Sequence, residues 1–193
     1  MKLERRKNKI TNVLSRRQPD MTLVMENIHD PHNVSAMLRS ADAVGIHGVN
    51  LVYTKEKFPR IGSKSSSSAN KWIERRKFGS VRECYDQLHA EGFQILATRL
   101  DDSAKQLYEF DLTKPTAFVF GNEHAGVSDD AASFSDATLY IPMMGMIQSL
   151  NVSVACAVTI YEALRQRIQK GMYDEPRFEK KRLEGLIHEW LKK

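Results

Sequence analysis

The segment Ala117-Phe118-Val119-Phe120-Gly121-Asn122-Glu123-His124-Ala125-Gly126 decides the fold class of this chain. Its first four residues are apolar and predict a short buried strand, and the glycine directly after them predicts a sharp turn. Continuously apolar strands are typical of parallel sheets that helices cover on both faces. The same pattern recurs on either side of this segment.

Further short apolar runs predict strands at Thr22–Glu26, Val49–Tyr53, Trp72–Phe78, Phe93–Thr98 and Thr138–Ile141. Helical spacing predicts a helix that Asn33 caps and Gly45 ends, a second from Ser80 to Glu91, and a third over Leu150–Tyr161 that continues into Arg165 and Arg167. Strands that alternate with helices predict an α/β fold with a mainly parallel sheet. Ligands bind beyond the carboxyl ends of such strands, which draws attention to the loops at 27–33, 99–103, 121–128 and 142–149.

Amphipathic helices are predicted at both ends. Leu3, Ile10, Val13 and Leu14 recur at helical spacing, as do apolar residues between Phe178 and Leu191. The serine-rich segment Gly62–Asn70 predicts a flexible loop. We expect three parts: a basic helical extension at 1–18, a central α/β domain at 19–168 and a helical extension at 169–193.

Charge is unevenly distributed along the 193 residues. The net charge is +5, of which residues 1–17 carry +6 and residues 162–193 carry +3, so that −4 remains for residues 18–161. Basic ends on an acidic body favour a polyanionic partner held by the ends, because phosphate contacts supply most sequence-independent affinity for nucleic acids. The alternative is that these charges only solvate helix surfaces, and charge alone does not decide between them.

Several classes of protein are disfavoured. The two cysteines, Cys84 and Cys156, lack CxxC spacing, which argues against a disulfide framework and favours a cytoplasmic location. No apolar run approaches the roughly 18 residues that span a bilayer. His29 and His32 flank Asp30, but a metal site needs a further ligand that the sequence does not indicate. We expect no membrane and no metal.

The loop Gly121–Gly126 superficially resembles a phosphate-binding loop. The lysine and hydroxyl residue that must follow are replaced by Val127-Ser128, which argues against a nucleotide hydrolase. No GxGxxG follows the first strand either, so a dinucleotide site has no support. Taken alone, the two glycines fit a sharp turn between a strand and a helix.

Two other clusters carry polar residues beside apolar ones. Ile141-Pro142-Met143 leads into Ser149-Leu150-Asn151-Val152-Ser153, and Asn33-Val34-Ser35 leads into Arg39. Taken alone, Ser149 and Asn151 fit helix caps, and Arg39 fits a solvated side chain off the apolar face.

All three clusters occur together in a fixed order, and in this the sequence resembles the TrmH branch of the SpoU family of knotted SPOUT methyltransferases. The motifs are Asn33…Arg39, Gly121-Asn122-Glu123…Gly126 and Ile141-Pro142-Met143…Ser149-Leu150-Asn151-Val152-Ser153. The resemblance covers most of residues 16–172, including the runs Arg16–Asp20 and Tyr161–Tyr173. Any one motif alone is weak, whereas three at matching distances are specific.

The resemblance implies an α/β fold with a C-terminal trefoil knot, and S-adenosylmethionine (SAM) bent between three loops near Thr98, Gly121–Gly126 and Ile141–Leu150. Glycines let backbone groups approach a ligand closely, and apolar side chains line such a pocket. The implied cofactor contacts are Thr98, Leu100, Gly121, Asn122, Gly126, Ile141, Met143, Ser149 and Leu150.

The resemblance also implies methylation of a ribose 2′-hydroxyl, with Arg39, Asn33, Glu123, Ser149 and Asn151 as catalytic residues. The family proposal that the arginine assists deprotonation conflicts with a guanidinium pKa above about 12. A cationic Arg39 that binds phosphate and stabilises the developing alkoxide meets the same requirement. Glu123 is then expected to orient Arg39 or Asn33. Family members are dimers with shared sites, so Arg39 is expected to serve the partner's cofactor.

The basic extensions favour the D-loop guanosine of tRNA as the target, and we expect no DNA partner. The residues expected to contact RNA are Arg5, Arg6, Arg16, Arg17, His32, Arg165 and Arg167. Another RNA site, in rRNA or at the tRNA wobble nucleotide, remains an alternative, as does a non-catalytic RNA-binding module. The intact Arg39 and Glu123 argue against the last.

Overall fold

The computed structural model describes residues 2–55, 57–59 and 69–193, and seven strands and seven α-helices lie within them. The strands are β1 (Met21–Glu26), β2 (Gly48–Val52), β3 (Glu74–Phe78), β4 (Gln94–Thr98), β5 (Lys105–Gln106), β6 (Thr116–Phe120) and β7 (Ala137–Tyr140). The helices are α1 (Lys2–Leu14), α2 (Pro31–Ala43), α3 (Ala69–Trp72), α4 (Val81–Ala90), α5 (Asp129–Ser133), α6 (Val152–Gln169) and α7 (Lys180–Lys192).

The strands form one sheet in the order β3-β2-β1-β6-β4-β7-β5, and every neighbouring pair is parallel. Leu23 of the central strand β1 is level with Val49 of β2 on one side and Phe118 of β6 on the other. The predicted α/β fold with a parallel sheet is confirmed. The carboxyl ends of β1, β6, β4 and β7 are adjacent, which brings four of the loops after strands to one edge of the sheet.

Helices cover both faces of the sheet because alternate strand residues face opposite ways. In β1, Leu23 and Met25 lie in the apolar cluster that includes residues of α2 and α6, whereas Val24 lies in the cluster that includes residues of α4. Most of the core side chains in these two clusters are fully buried. Threading of the C-terminal segment into a trefoil knot stays a prediction from the family.

The terminal helices pack on each other in a third cluster. Ile10 and Leu14 of α1 are buried against Leu186 and Trp190 of α7. The two predicted amphipathic terminal helices are confirmed, and their apolar faces cover one another. Deleting either helix would therefore expose the apolar face of the other.

Several predicted boundaries hold. Ser80 caps α4 by accepting a 3.1 Å hydrogen bond from the backbone N–H of Glu83. Gly45 follows α2 with φ +85°, and a Cβ there would lie 2.7 Å from the carbonyl oxygen of Arg16, so glycine is required on both counts.

Other boundaries were wrong. Asp30, not Asn33, caps α2, because its side chain accepts from the N–H of His32 at 2.8 Å and Pro31 occupies the first helical turn. Trp72 ends the short helix α3 and is not part of β3. The helix predicted from Leu150 begins instead at Val152, whereas its predicted continuation through Arg165 and Arg167 is confirmed, since it ends at Gln169. The loop predicted at Gly62–Asn70 lies largely outside the described residues, which resume at Ala69 in α3.

Within the described ranges, no helix is both long enough and apolar enough to cross a membrane.

Candidate active site

The backbone at Gly121 and the backbone at Gly126 pack directly against each other at the carboxyl end of β6, and we call this contact the glycine crossing. A Cβ on Gly121 would lie 2.1 Å from the carbonyl oxygen of Gly126, a distance that no side chain can adopt. Gly126 has φ +69°, and its N–H donates to the carbonyl oxygen of Asn122 at 2.8 Å. Both positions therefore require glycine for the backbone of the loop to close on itself.

The side chain of Asn122 ties this loop to the end of β1. Its amide donates to the carbonyl oxygen of Asn27 at 2.9 Å, and its amide oxygen accepts from the N–H groups of His124 and Ala125 at 2.9 and 3.1 Å. Three of its hydrogen bonds are thus to backbone, so Asn122 fixes the loop in one shape.

A cavity of about 600 Å³ opens beside the glycine crossing, at the ends of β4, β6 and β7; we call it the central cavity. Its volume is within the usual range for small-molecule sites. It is lined by every residue that the family resemblance implied for the cofactor, namely Thr98, Leu100, Gly121, Asn122, Gly126, Ile141, Met143, Ser149 and Leu150. The structure brings these residues together, and their contact with a cofactor stays a prediction.

Asn33, Glu123 and Asn151 join the three sequence motifs by hydrogen bonds. The amide of Asn33 donates to Glu123 at 2.9 Å, and its amide oxygen accepts from the amide of Asn151 at 3.1 Å. The oxygen of Asn151 in turn accepts from the N–H and hydroxyl of Ser153 at 2.8 and 2.6 Å, which caps α6. Asn33, though buried, therefore has both ends of its amide satisfied.

Glu123 accepts three hydrogen bonds. Besides Asn33, the donors are the backbone N–H groups of His29 and Asp30, at 2.9 and 3.0 Å. Partial burial by itself would raise the pKa of Glu123, but hydrogen bonds from Asn33, His29 and Asp30 outweigh it and hold the pKa below its ordinary value. Glu123 is therefore a carboxylate at neutral pH, occupied in positioning Asn33 and the start of α2, and unsuited to be a general base.

Arg39 lies apart from this network. It is exposed on α2, it does not line the central cavity, and no ion pair or hydrogen bond joins it to the described residues. Of the five predicted catalytic residues, Asn33, Glu123 and Asn151 are therefore connected to one another. Glu123 and Ser149 line the central cavity, and Arg39 is separate within one subunit.

Four of the residues predicted to contact RNA are cations on the surface. Arg5, Arg6 and Arg16 are exposed at the N-terminal end of the chain. Arg165 is exposed on α6 and forms an ion pair with Glu162 at 2.7 Å. His32 is also exposed, at the start of α2. Their contact with RNA stays a prediction.

Arg17 was wrongly predicted to contact RNA. It is fully buried, with an ion pair to Asp42 and a 2.6 Å hydrogen bond to the carbonyl oxygen of Ile46. Its guanidinium carbon also lies 5.3 Å from the ring centre of Trp190. Arg17 thus joins the core to the terminal helices and has no surface to offer a phosphate.

Arg167 was wrongly predicted in the same way. It too is fully buried, and its guanidinium bonds to the carboxylate of Asp20 at 2.6 Å, to the side chain of Gln18 at 3.0 Å, and to the carbonyl oxygens of Leu112, Asp20 and Lys114. Arg167 therefore fastens α6 to the start of β1. The two sequence runs that the family resemblance had singled out, 16–20 and 161–173, contact each other here.

Sequence reasoning missed Arg99, which lines the central cavity directly after β4. The available signal was its position, since the loop at 99–103 follows a parallel strand. Arg99 forms an ion pair with Asp129 at 2.7 Å. Within the described residues, no group of three or more histidine, cysteine or acidic side chains is placed to hold a metal ion.

These features define an α/β protein with a preformed small-molecule pocket at the carboxyl edge of a parallel sheet. A sequence model of the SpoU rRNA methylase family matches residues 20–161. The chain belongs to this family.

Comparison with known proteins extends the similarity to the terminal helices. The tRNA (guanosine(18)-2′-O)-methyltransferase of Thermus thermophilus is 43% identical over 190 residues, 98% of this chain and 97% of that relative. The crystal structure of the Aquifex aeolicus TrmH/SpoU tRNA modifying enzyme superimposes with a TM-score of 0.93 at 36% identity, covering 100% of this chain and 98% of that one.

A third solved structure includes a ligand. The SpoU methyltransferase AviRb from Streptomyces viridochromogenes, in complex with the cofactor AdoMet, has a TM-score of 0.67 at 29% identity. It covers 80% of this chain and 59% of that one, so the similarity to AviRb does not extend over the whole of either protein.

Proposed function

We propose that this protein transfers a methyl group from SAM to the ribose 2′-hydroxyl of guanosine 18 in the D-loop of tRNA. The observation that carries the proposal is the 43% identity to a tRNA (guanosine(18)-2′-O)-methyltransferase over 98% of the chain. That similarity extends over nearly the whole chain and therefore includes both terminal helices.

The central cavity fits SAM. Its volume of about 600 Å³ suits a nucleoside with an amino-acid chain. Ile141, Met143 and Leu150 offer an apolar lining, and the crossing of Gly121 and Gly126 leaves backbone groups uncovered by side chains. Bound there, SAM would supply an electrophilic methyl group on a sulfonium. No metal is required for this chemistry.

The residues around the cavity position the nucleophile and handle its charge. A ribose 2′-hydroxyl has a pKa far above neutrality, so attack on a methyl group requires stabilisation of the developing alkoxide. Arg39 is the cation proposed for this role, and it binds the neighbouring phosphate, with phosphate or water receiving the proton. The hydrogen bonds of Asn33, Glu123 and Asn151 hold α2, which carries Arg39, at a fixed position against the cavity loops.

We further propose a homodimer in which Arg39 of one subunit serves the central cavity of the other. Arg39 lies outside the central cavity of its own chain. Val154, Tyr161 and Ile168 are 47%, 49% and 57% exposed along α6, at a spacing of seven residues that places them on one face. Exposed apolar stripes of this kind mark protein interfaces.

Mutation of this stripe tests the dimer. Val154→Lys with Tyr161→Lys should convert the protein to monomers in sedimentation experiments and abolish methyl transfer, with the fold retained by circular dichroism. The matched control is Leu3→Lys, at an apolar residue that is 74% exposed on α1. A fully dimeric double variant would refute the assignment of the interface to this face.

The nucleotide target is tested with labelled SAM and two matched tRNA transcripts, one with guanosine at position 18 and one with 2′-deoxyguanosine there. Label should enter only the first transcript, and nuclease mapping should locate it at that nucleotide. Equal labelling of both transcripts, or preferential labelling of an rRNA fragment or a wobble nucleotide, would overturn the proposed target.

A further inference from the structure

Arg99 occupies a fixed position at the mouth of two cavities. Its backbone N–H donates to the carbonyl oxygen of Leu139 at 3.0 Å, which extends the pairing between β4 and β7 by one residue. Its side chain lines the central cavity and also a neighbouring cavity of about 660 Å³ that Glu26, Lys55 and Ser128 help to line. The backbone of Arg99 is therefore held by the sheet, and the residue lines both cavities.

Arg99 is the only lysine or arginine among the described residues that line the central cavity. The cavity has one carboxylate, that of Glu123, which is already occupied by three hydrogen-bond donors. A ligand that brings an anionic group into this cavity thus meets a single permanent cation.

The ion pair between Arg99 and Asp129 is weak enough for another carboxylate to replace Asp129. Asp129 lies 2.7 Å from the guanidinium, but its side chain is 93% exposed and that of Arg99 is 34% exposed. Ion pairs in such solvent contact are weak, because water screens them and both side chains lose conformational freedom. A carboxylate held in place by the cavity can therefore displace Asp129.

We propose that Arg99 binds the α-carboxylate of the methionine portion of the methyl donor, and that Asp129 holds the arginine when the cavity is empty. This inference rests on the proposed function. A planar guanidinium matches a carboxylate with two parallel hydrogen bonds, which supplies orientation as well as affinity.

Two ligands that differ only in the amino-acid portion test the assignment. S-adenosylhomocysteine carries the α-carboxylate, and 5′-methylthioadenosine lacks the whole aminocarboxypropyl part. Calorimetric titration should show that Arg99→Gln weakens binding of S-adenosylhomocysteine by about tenfold to a hundredfold, as expected for a lost hydrogen bond to a charged group. Its binding of methylthioadenosine should change by less than about twofold.

Two further variants test the role of the positive charge of Arg99 and the displacement of Asp129 by the ligand. Arg99→Lys should lie between wild type and Arg99→Gln for S-adenosylhomocysteine, because it keeps the charge and loses the fork. Asp129→Asn removes the competitor and should raise affinity for S-adenosylhomocysteine severalfold without changing that for methylthioadenosine. Urea unfolding of each variant should match wild type, since both side chains lie at the surface.

The results that would contradict the proposed role of Arg99 can be distinguished from those that would contradict the proposed function. Equal weakening of both ligands in Arg99→Gln would mean that Arg99 only shapes the loop, and unchanged binding of S-adenosylhomocysteine would mean that it makes no contact; either result overturns the proposal. If Asp129→Asn leaves the affinity for S-adenosylhomocysteine unchanged or lowers it, the proposed displacement of Asp129 by the ligand is wrong. Wild-type protein that binds neither ligand would refute the SAM-dependent function itself.

Discussion

The side-chain amide of Asn33 donates a 2.9 Å hydrogen bond to the carboxylate of Glu123, 90 residues further along the chain. This bond joins the start of α2 to the loop after β6, and the other end of the Asn33 amide reaches Asn151 before α6. Three loops that form the candidate site are thus held by one buried amide, so their relative positions depend on the charge of Glu123.

Glu123→Gln should destabilise the protein at neutral pH by about 1.5–3 kcal/mol, the usual contribution of a hydrogen bond to a charged group. A glutamine has one acceptor oxygen, and its NH₂ group would face the N–H of His29 or Asp30. Urea denaturation at pH 7 measures the difference. Glu184→Gln, at an exposed residue of α7, is the matched control and should be neutral.

The hydrogen bond between Asn33 and Glu123 also predicts that the free energy of unfolding depends on pH. The pKa of Glu123 is lowered in the folded protein, so its stabilising effect is complete above the unfolded value of about 4.5 and is lost as the pH falls through the folded value. The difference in unfolding free energy between wild type and Glu123→Gln should therefore shrink when the pH is lowered below about 4.5. A difference that stays constant down to pH ~3 would contradict the lowered pKa.

Arg39→Ala should abolish methyl transfer and leave binding of S-adenosylhomocysteine nearly unchanged, because the proposed partners of Arg39 are the ribose oxygen and the neighbouring phosphate of the RNA and not the cofactor. Arg39→Lys should also be poor, since it keeps the charge and loses the planar fork. Single-turnover assays with calorimetric binding separate the two effects. Arg75→Ala, at an exposed arginine on β3, controls for the loss of one positive charge. Near wild-type rates in either Arg39 variant would refute its catalytic role.

Arg167→Met should lower the free energy of unfolding by about 3–5 kcal/mol. The substitution leaves the half-buried carboxylate of Asp20 without its closest partner. It also removes the donors to three backbone carbonyl groups. Arg165→Met, two residues earlier, removes an exposed arginine and should leave the unfolding free energy close to that of wild type. Equal effects in the two variants would contradict the assignment of Arg167 to the core.

Reversal of the exposed N-terminal charges tests RNA binding. Changing Arg5, Arg6 and Arg16 to Glu should weaken tRNA affinity and reduce its salt dependence, by a slope of roughly 0.7–0.9 for each phosphate that the protein no longer neutralises. Arg17 is left intact because it is buried. Deletion of residues 1–17 is unsuitable as a test, since it would uncover Leu186 and Trp190.

The control for this variant reverses three exposed cations elsewhere, namely Arg75, Lys77 and Arg82. It has the same change in net charge and should leave the salt slope nearly intact. If the N-terminal variant folds normally and its salt slope equals that of wild type, the N-terminal charges only solvate the helix.

The sheet and its loops could be predicted from sequence because their signals are local. The apolar run Ala117–Phe120 and the glycine that follows it determine strand and turn without reference to distant residues. Ser80 likewise caps its own helix. The two-residue strand Lys105–Gln106 gave no such signal, because it is short and polar and is ordered only by its neighbour β7.

The roles of single polar residues could not be predicted, because they depend on partners far away in the chain. Arg17 and Arg165 have the same charge and similar sequence contexts, yet one is buried beside Asp42 and the other is exposed. Asparagine often caps helices, but the side-chain amide of Asn33 instead forms hydrogen bonds with Glu123 and Asn151 in the candidate site. Only the fold reveals which of these alternatives holds.

The place of β1 at the centre of the sheet has a consequence for synthesis on the ribosome. Met21 is paired with Thr116, so β1 lacks one neighbour until 95 further residues have been made. At about 5–20 residues per second, the nascent chain waits roughly 5–20 s with that apolar edge uncovered. Its anchor to Arg167 comes later still, because Asp20 is 147 residues away. During this interval the unpaired strand exposes the nascent chain to aggregation.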